Sequence, residues 1–317
     1  MKILYYHYVR PTPEGLPHFR YLHIEDFRAQ LDHLGHAYGF VPRDAFLAAA
    51  AGGASAPEGV VLTFDDGFRD HHDHVLPELL RRGLWGLFYV PTGPYQNRAA
   101  LSVHRVHYLL GRHGGARMLE AVRSHLSLAM LSREGTEAFR RISYAGQDND
   151  SATTEFKRAL NYHLAPAWRQ AVLDRLAAEF GGDRDLVEEL YMPPAHVRAL
   201  QEAGMIVGSH SVTHPVLSTL ESVEQRREIV ESFDFLEAVT GGLTLRTFCY
   251  PYGHAGTYTA QTIELLAEAD CRLAFTTGSS DVTAADLDTR PLALPRYDCN
   301  LFPHGRAAYG PSRPERA

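Results

Sequence analysis

Residues 60–67 read V-V-L-T-F-D-D-G, and no other stretch restricts the fold as tightly. Val60, Val61 and Leu62 form a β-branched and aliphatic run with no polar break, the pattern of a strand covered on both faces. That pattern belongs to parallel sheets with helices packed on them. The run passes through Thr63 and Phe64 into two adjacent carboxylates and a glycine. Successive strand side chains point to opposite sides, so Asp65 and Asp66 can reach one pocket only where the strand stops. Gly67 supplies the stop, because glycine tolerates backbone angles closed to other residues. Strand ends of this kind are where α/β folds keep their chemistry, although Asp-Asp-Gly alone also reads as a plain turn.

The rest of the chain repeats strand and helix in turn. An opening strand over residues 2–8 carries His7 and then Arg10 at its far end. A helix over 24–38 has Phe27, Leu31 and Leu34 on one face. A helix over 74–82 and a strand over 86–90 follow the Asp-Asp segment, and Pro91 ends that strand. The alternation resumes with a helix over 194–203 and a strand over 205–208. A helix from Ser222 to about Thr240 comes next, with a capping box at Ser222–Gln225 and a stop at Gly241-Gly242. A strand over 247–250, a helix over 258–269 and a strand over 273–276 complete the series. Such alternation predicts a parallel α/β fold. No G-x-G-x-x-G follows the first strand, so a distorted or incomplete (β/α) barrel is expected rather than a dinucleotide-binding sheet.

Between residues 93 and 190 the alternation stops. Helical spacing recurs over 118–130, 154–163 and 168–180, with breaks at 111–115 and 146–151. This is too long for one crossover. It reads as an α-helical insertion or cap on a discontinuous barrel made of residues 1–92 and 191–300, with 301–317 as a C-terminal tail. Covering the active site, holding a carrier group and forming a homodimer are all roles open to it.

The chain has 317 residues and a formal net charge of −7, which gives no reason to expect nucleic acid or an anionic membrane as partner. It has no apolar run long enough for a transmembrane segment and no signal-peptide pattern at its start. Cys249, Cys271 and Cys299 make neither a disulfide framework nor a close metal-ligand spacing. The expectation is a reduced, soluble, cytoplasmic protein. The histidines of the helical insertion, among them His104, His107, His113, His125 and His163, follow no ligand spacing and read as core or surface residues.

A second chemical motif lies at residues 208–215, G-S-H-S-V-T-H-P. His210 and His214 stand four apart, which on a helical turn would put both imidazoles on one face. Ser211 and Thr213 can tie the loop to nearby backbone groups. In a chain with 18 histidines the spacing alone says little. Joined to the Asp-Asp strand end at the same rim, it yields two imidazoles and a carboxylate with a position open for water, the make-up of a catalytic metal site.

Taken together, T-F-D-D-G (63–67), H-S-V-T-H (210–214) and F-C-Y-P-Y-G (248–253) resemble, in order, the first three motifs of the polysaccharide deacetylase family, carbohydrate esterase family 4. The resemblance covers the barrel portion and implies a seven-stranded barrel of the family's type. It implies that Asp66, His210 and His214 hold a divalent metal ion, zinc by preference, with cobalt, nickel, manganese or iron also suited to the donor set. Asp65 would be the general base, and a backbone N–H beside Pro251 and Tyr252 would stabilise the oxyanion. Arg10, at the same rim, is taken as a substrate contact.

Two departures stand out. Many relatives carry an arginine at the start of the third motif to pair with the base, but Cys249 stands there. Arg296, in L-P-R-Y-D, is expected to supply that charge from another strand. The later leucine-x-histidine motif that provides the general acid is also missing, which leaves His7, His304 and Asp298, with His7 the first choice. Tyr5, Tyr6 and Tyr8 either line a sugar pocket or belong to a half-buried first strand.

The expected activity is hydrolysis of an N-acetyl group on an amino sugar, a precursor or unit of a bacterial surface glycan and free or carrier-linked. Three alternatives are an amidase or deformylase of the same fold, a barrel glycosidase, and a non-catalytic binding protein of glycan assembly. A glycosidase needs a second carboxylate across the cleft and leaves both histidines unexplained.

Overall fold

The computed structural model describes residues 1–52, 55–130, 149–181 and 185–309. It divides into two compact units. One comprises Met1–Pro11, Tyr21–Ala99 and Val187–Ala307, and the other Thr12–Arg20 and Ala100–Leu186, with the chain end. Parts of the expected break at 146–151 and of the expected tail at 301–317 lie outside the described residues.

The first unit is built on seven parallel strands. They are β1 (Lys2–Tyr6), β2 (Val60–Phe64), β3 (Gly86–Val90), β4 (Ile206–Ser209), β5 (Thr247–Cys249), β6 (Leu273–Phe275) and β7 (Tyr297–Asp298), in the order β6-β5-β4-β3-β2-β1-β7. Every residue of β2 and β3 is buried, as the unbroken apolar run requires. The two edges come within one short segment of each other. Leu294 bridges to Phe275 of β6, and three residues later Tyr297 pairs with Leu4 of β1. Residues 294–298 therefore close a distorted barrel that regular ladders leave open.

The two-residue period sorts the strand side chains into two sets. Leu4, Tyr6, Leu62, Phe64, Phe88, Val90 and Val207 pack with Phe27, Leu31, Leu34, Leu79, Val197 and Leu236 from the surrounding helices. Ile3, Val61, Leu87, Tyr89, Ile206, Cys249, Phe275 and Leu294 form a separate inner cluster. A helix the sequence reading did not separate out, Arg43–Ala50, adds Phe46 to that inner cluster. Tyr6 packs on Phe27 and Phe64, and Tyr8 stacks on Phe68, so both belong to the core rather than to a sugar pocket. The helix Ser222–Thr240 has the expected bounds, but its capping box is formed by Glu221 and Glu224, one residue ahead of the expected pair.

One buried charge is prominent on the helical layer. Glu78 is 2% exposed and accepts from Arg28, Arg81 and Arg82 at 2.5–3.2 Å. Burial pushes its pKa up, but the three guanidinium groups outweigh this and hold it at about 2. Glu78→Gln is expected to lower the unfolding free energy by about 2 kcal/mol at neutral pH, since the arginines are partly solvated. Because the folded pKa is depressed, this contribution is present above the unfolded carboxyl value of ~4.3 and fades as pH falls toward 2. Urea unfolding of both proteins across that range checks it. A difference that stays constant with pH would contradict it.

The second unit is helical. Val106, Leu109 and Leu110 of Ser102–His113 meet Met118, Ala121 and Val122 of Gly115–His125. Phe156, Ala159 and Leu160 join them, with Val172, Leu173 and Leu176 of Pro166–Phe180. These i, i+3, i+4 sets give the unit a core of its own. Gly111 packs where a Cβ would lie 2.5 Å from the Phe19 ring, so a side chain there would force the helix off that ring.

Candidate metal centre

The C-terminal ends of β2, β4 and β5 carry the three motifs. Asp65 N donates to Tyr6 O at 2.9 Å, which extends β2 by one residue and keeps Asp65 in the inward set with Val61 and Thr63. The chain then turns through left-handed angles at Asp66 (φ 79°) and Gly67 (φ 64°). The reversal begins at Asp66 itself, one residue before the expected glycine. A Cβ at Gly67 would lie 3.0 Å from Val90 Cγ1 in a left-handed backbone, so only glycine fits without a shift.

The helical turn expected at His210–His214 is absent. His210 follows β4 directly, and Ser211 (φ 63°) and His214 (φ 57°) are both left-handed. This double reversal, not a helical pitch, brings the two rings to 4.7 Å between centroids at 79°. The loop is pinned from several sides. His214 N donates to Ser211 Oγ at 3.1 Å. Thr92 N donates to Ser211 O at 3.1 Å and Gly93 N to Val212 O at 2.7 Å.

Asp66 Oδ1 lies 3.6 Å from Nε2 of both His210 and His214. That is too long for hydrogen bonds and close to the edge, about 3.4 Å, of a ligand tetrahedron with bonds of ~2.1 Å. The His210 Nδ1 is 2.7 Å from Cys249 O. A carbonyl only accepts, so Nδ1 carries the hydrogen and Nε2 presents a bare lone pair to Asp66. Burial holds the His210 pKa below its ordinary value in spite of Asp65 and Asp66, which keeps the ring neutral. One carboxylate oxygen and two imidazole nitrogens thus fit a divalent metal ion.

Asp65 sits beside this donor set in a closed charge network. Arg296, fully buried, donates from Nη1 to Oδ1 and from Nη2 to Oδ2, both at 2.8 Å. Its remaining donors reach Thr63 Oγ1 at 2.8 Å and Thr276 O at 3.2 Å. The Cys249 Sγ lies 2.9 Å from Nη2, and the Tyr5 ring 4.9 Å from the guanidinium carbon. Burial pushes the Asp65 pKa up, but the Arg296 charge and hydrogen bonds prevail and hold it below the usual carboxylate value. Burial also pushes the Cys249 thiol well up, so a neutral thiol stands at the start of the third motif.

Of the three candidate acids, His7 is the one beside the Asp66, His210 and His214 set. Its Nε2 is 3.9 Å from Asp66 Oδ2, and its side chain is 46% exposed. Asp298 accepts from Tyr5 Oη at 3.1 Å, and His304 is exposed on the final stretch. The Tyr252 (φ 63°) and His214 rings meet at 62° with centroids 5.0 Å apart, next to buried Pro251. Arg10 forms a two-pronged ion pair with Asp70 at 2.6 and 2.7 Å, so its fork already holds a carboxylate. Sequence reasoning missed Asp70 and His71, whose Nε2 lies 2.8 Å from the carbonyl of His7. It also missed Tyr89, which faces Arg296 from β3. The inward parity of Thr63 and Tyr89 was the available signal.

Among the described residues, the other separate group of metal-binding side chains is His72, Asp73 and His196. Its imidazoles stack face to face at 3.5 Å and 15°, so their lone pairs lie in parallel planes. Arg69 also holds Asp73 at 3.3 Å. That arrangement does not converge on an ion. None of the groups falls in the helical unit among its described residues.

A donor set of this kind at the strand ends of a parallel barrel, with a carboxylate fixed alongside, suits metal-dependent hydrolysis. The sequence narrows this further, since residues 52–274 match the model of the polysaccharide deacetylase family. The chain belongs to that family, whose members are carbohydrate N-deacetylases. His7 and Arg296 lie outside the matched stretch, so their assignment rests on geometry. No protein of curated function matches the sequence. Solved structures share the fold over nearly the whole chain. The deacetylase PplD of Streptococcus pyogenes is 18% identical with a TM-score of 0.57, covering 96% of this chain and 95% of that one. IcaB from Ammonifex degensii is 18% identical with a TM-score of 0.55, covering 94% and 90%. The BpsB deacetylase domain of Bordetella bronchiseptica is 13% identical with a TM-score of 0.52, covering 94% of each.

Proposed function

We propose that this chain removes the N-acetyl group from an amino sugar of a bacterial surface glycan or its precursor. The observation that carries the reading is the convergence of Asp66, His210 and His214 beside an Asp65 held by Arg296. Asp66, His210 and His214 hold the ion, and a donor set of two imidazoles and one carboxylate favours zinc. When bound, the ion polarises the acyl carbonyl and lowers the pKa of water. Asp65, ionised and fixed by two hydrogen bonds, takes a proton from the attacking water. The backbone N–H at Tyr252, beside Pro251, donates to the oxygen that gains charge. His7 gives a proton to the departing amine. Arg10, anchored by Asp70, borders the substrate side.

The test is acetate release from N-acetylated glucosamine oligomers and nucleotide-linked N-acetyl sugars by metal-loaded protein. Acetate equal to the new amine, stopped by a chelator and restored by zinc, is expected. No acetate from any N-acetyl sugar by the loaded protein would overturn the reading. In the same assay His7→Gln is expected to lower kcat by about 10²–10⁴ with little change in KM, and unchanged turnover would remove His7 from the role.

Three free, buried cysteines support work in a reducing compartment, hence the cytoplasm. No helix among the described residues is long and apolar enough to cross a membrane. The helical unit, having a core of its own, is suited to engaging a substrate carrier or a second copy of the chain. Comparing free with carrier-linked sugar as substrate, and measuring mass by light scattering, decides between these roles.

A further inference from the structure

We infer that Glu228 is a positioning residue that sets the affinity of the metal centre without touching the ion, an inference that rests on the hydrolase reading above. Glu228 lies on the helix Ser222–Thr240, in a charged run where nothing in the sequence distinguishes it from Glu224 or Glu231. Its carboxylate reaches the loop between the two histidine ligands. Oε2 accepts from both Val212 N and Thr213 N at 2.8 Å, and Oε1 accepts from Thr213 Oγ1 at 2.6 Å.

The need for such a clamp follows from the backbone. Ser211 and His214 both hold left-handed angles, which non-glycine residues keep only where the surroundings over-determine them. Val212 and Thr213 are the two residues between them. One carboxylate oxygen binds both of their amides with charge-assisted bonds. On the opposite side Gly93 N donates to Val212 O at 2.7 Å, at a glycine where a Cβ would come 2.6 Å from that oxygen. The loop is therefore gripped from the helix through its N–H groups and from the β3 end through its carbonyl. Releasing the helix side frees His214 to swing out of the set while His210 stays anchored by Cys249 O.

The experiment is a zinc competition titration of wild type, Glu228→Ala, Glu228→Gln and Thr213→Val, with thermal unfolding of the metal-free proteins alongside. Glu228→Ala is expected to bind zinc ~10- to 100-fold more weakly, the usual effect of losing an outer partner of a metal site. Glu228→Gln should stay within a few-fold of wild type, because its amide oxygen can accept both N–H bonds. Thr213→Val, which removes one bond, should fall between. Equal affinity in wild type and Glu228→Ala overturns the role of Glu228, as does a loss matched by an equal loss of metal-free stability and not rescued by glutamine. Wild type that takes up no zinc overturns the hydrolase reading itself, which is a separate result.

Discussion

Arg296→Met is expected to remove both the stability of the barrel interior and most of the activity. Asp65 and Arg296 are buried together, with side chains 4% and 0% exposed. Removing the arginine leaves a carboxylate in the inner layer without its two principal donors. Breaking a buried pair from one side costs about 3–5 kcal/mol. The same change frees burial to push the Asp65 pKa upward, because Arg296 is what holds it down, and a protonated Asp65 cannot accept from water. Loss of kcat/KM by about 10²–10⁴ is expected on top of the destabilisation. Arg296→Lys restores the charge but not the fork that spans both carboxylate oxygens and Thr63, so it should recover stability better than turnover. Urea unfolding and acetate release by the same preparations separate the two effects. Full turnover in a folded Arg296→Met protein would mean that Asp65 needs no cation.

The distance in sequence between Asp65 and Arg296 marks how much could be read beforehand. The strand carrying Asp65 was legible because its apolar run is buried on both faces, and buried strands have no polar alternation to obscure them. That an arginine must come from elsewhere followed from Cys249 in the third motif. The L-P-R-Y-D segment was a fair candidate, but its strand is only Tyr297–Asp298, too short to announce itself by period. The four-residue histidine spacing misled, because left-handed angles at Ser211 and His214 leave no trace in residue type. Neither residue is a glycine, and the contacts that grip their loop come from Thr92, Gly93 and Glu228, far off in sequence. Gly67 takes the left-handed angle expected of it, but Asp66 before it takes one too. In each case the conformation is imposed by tertiary contacts, and local propensity speaks against it. Positions set by burial were readable, and positions set by a strained loop were not.

That division has its largest consequence at the metal itself. His210→Ala is expected to abolish zinc uptake at micromolar concentration and reduce acetate release to background. Structural zinc sites of four protein ligands hold the ion with roughly 10–16 kcal/mol, so each ligand accounts for about 2.5–4 kcal/mol, on the order of a hundredfold in affinity. His210 should cost more than this average, because its ring is the one fixed beforehand by Nδ1–H to Cys249 O. Melting supplies a readout independent of turnover. An ion that binds only the folded chain stabilises it by about 2.7 kcal/mol at a hundredfold excess over Kd, so wild type should melt several degrees higher with zinc than without. His210→Ala and Asp66→Asn should show little or no such rise. If both variants still gain stability from zinc as wild type does, the ion is held elsewhere, and Asp66, His210 and His214 are not its ligands. If wild type gains nothing and releases no acetate, the barrel binds a sugar without hydrolysing it, and Asp65 with Arg296 is then a buried ion pair that shapes the pocket.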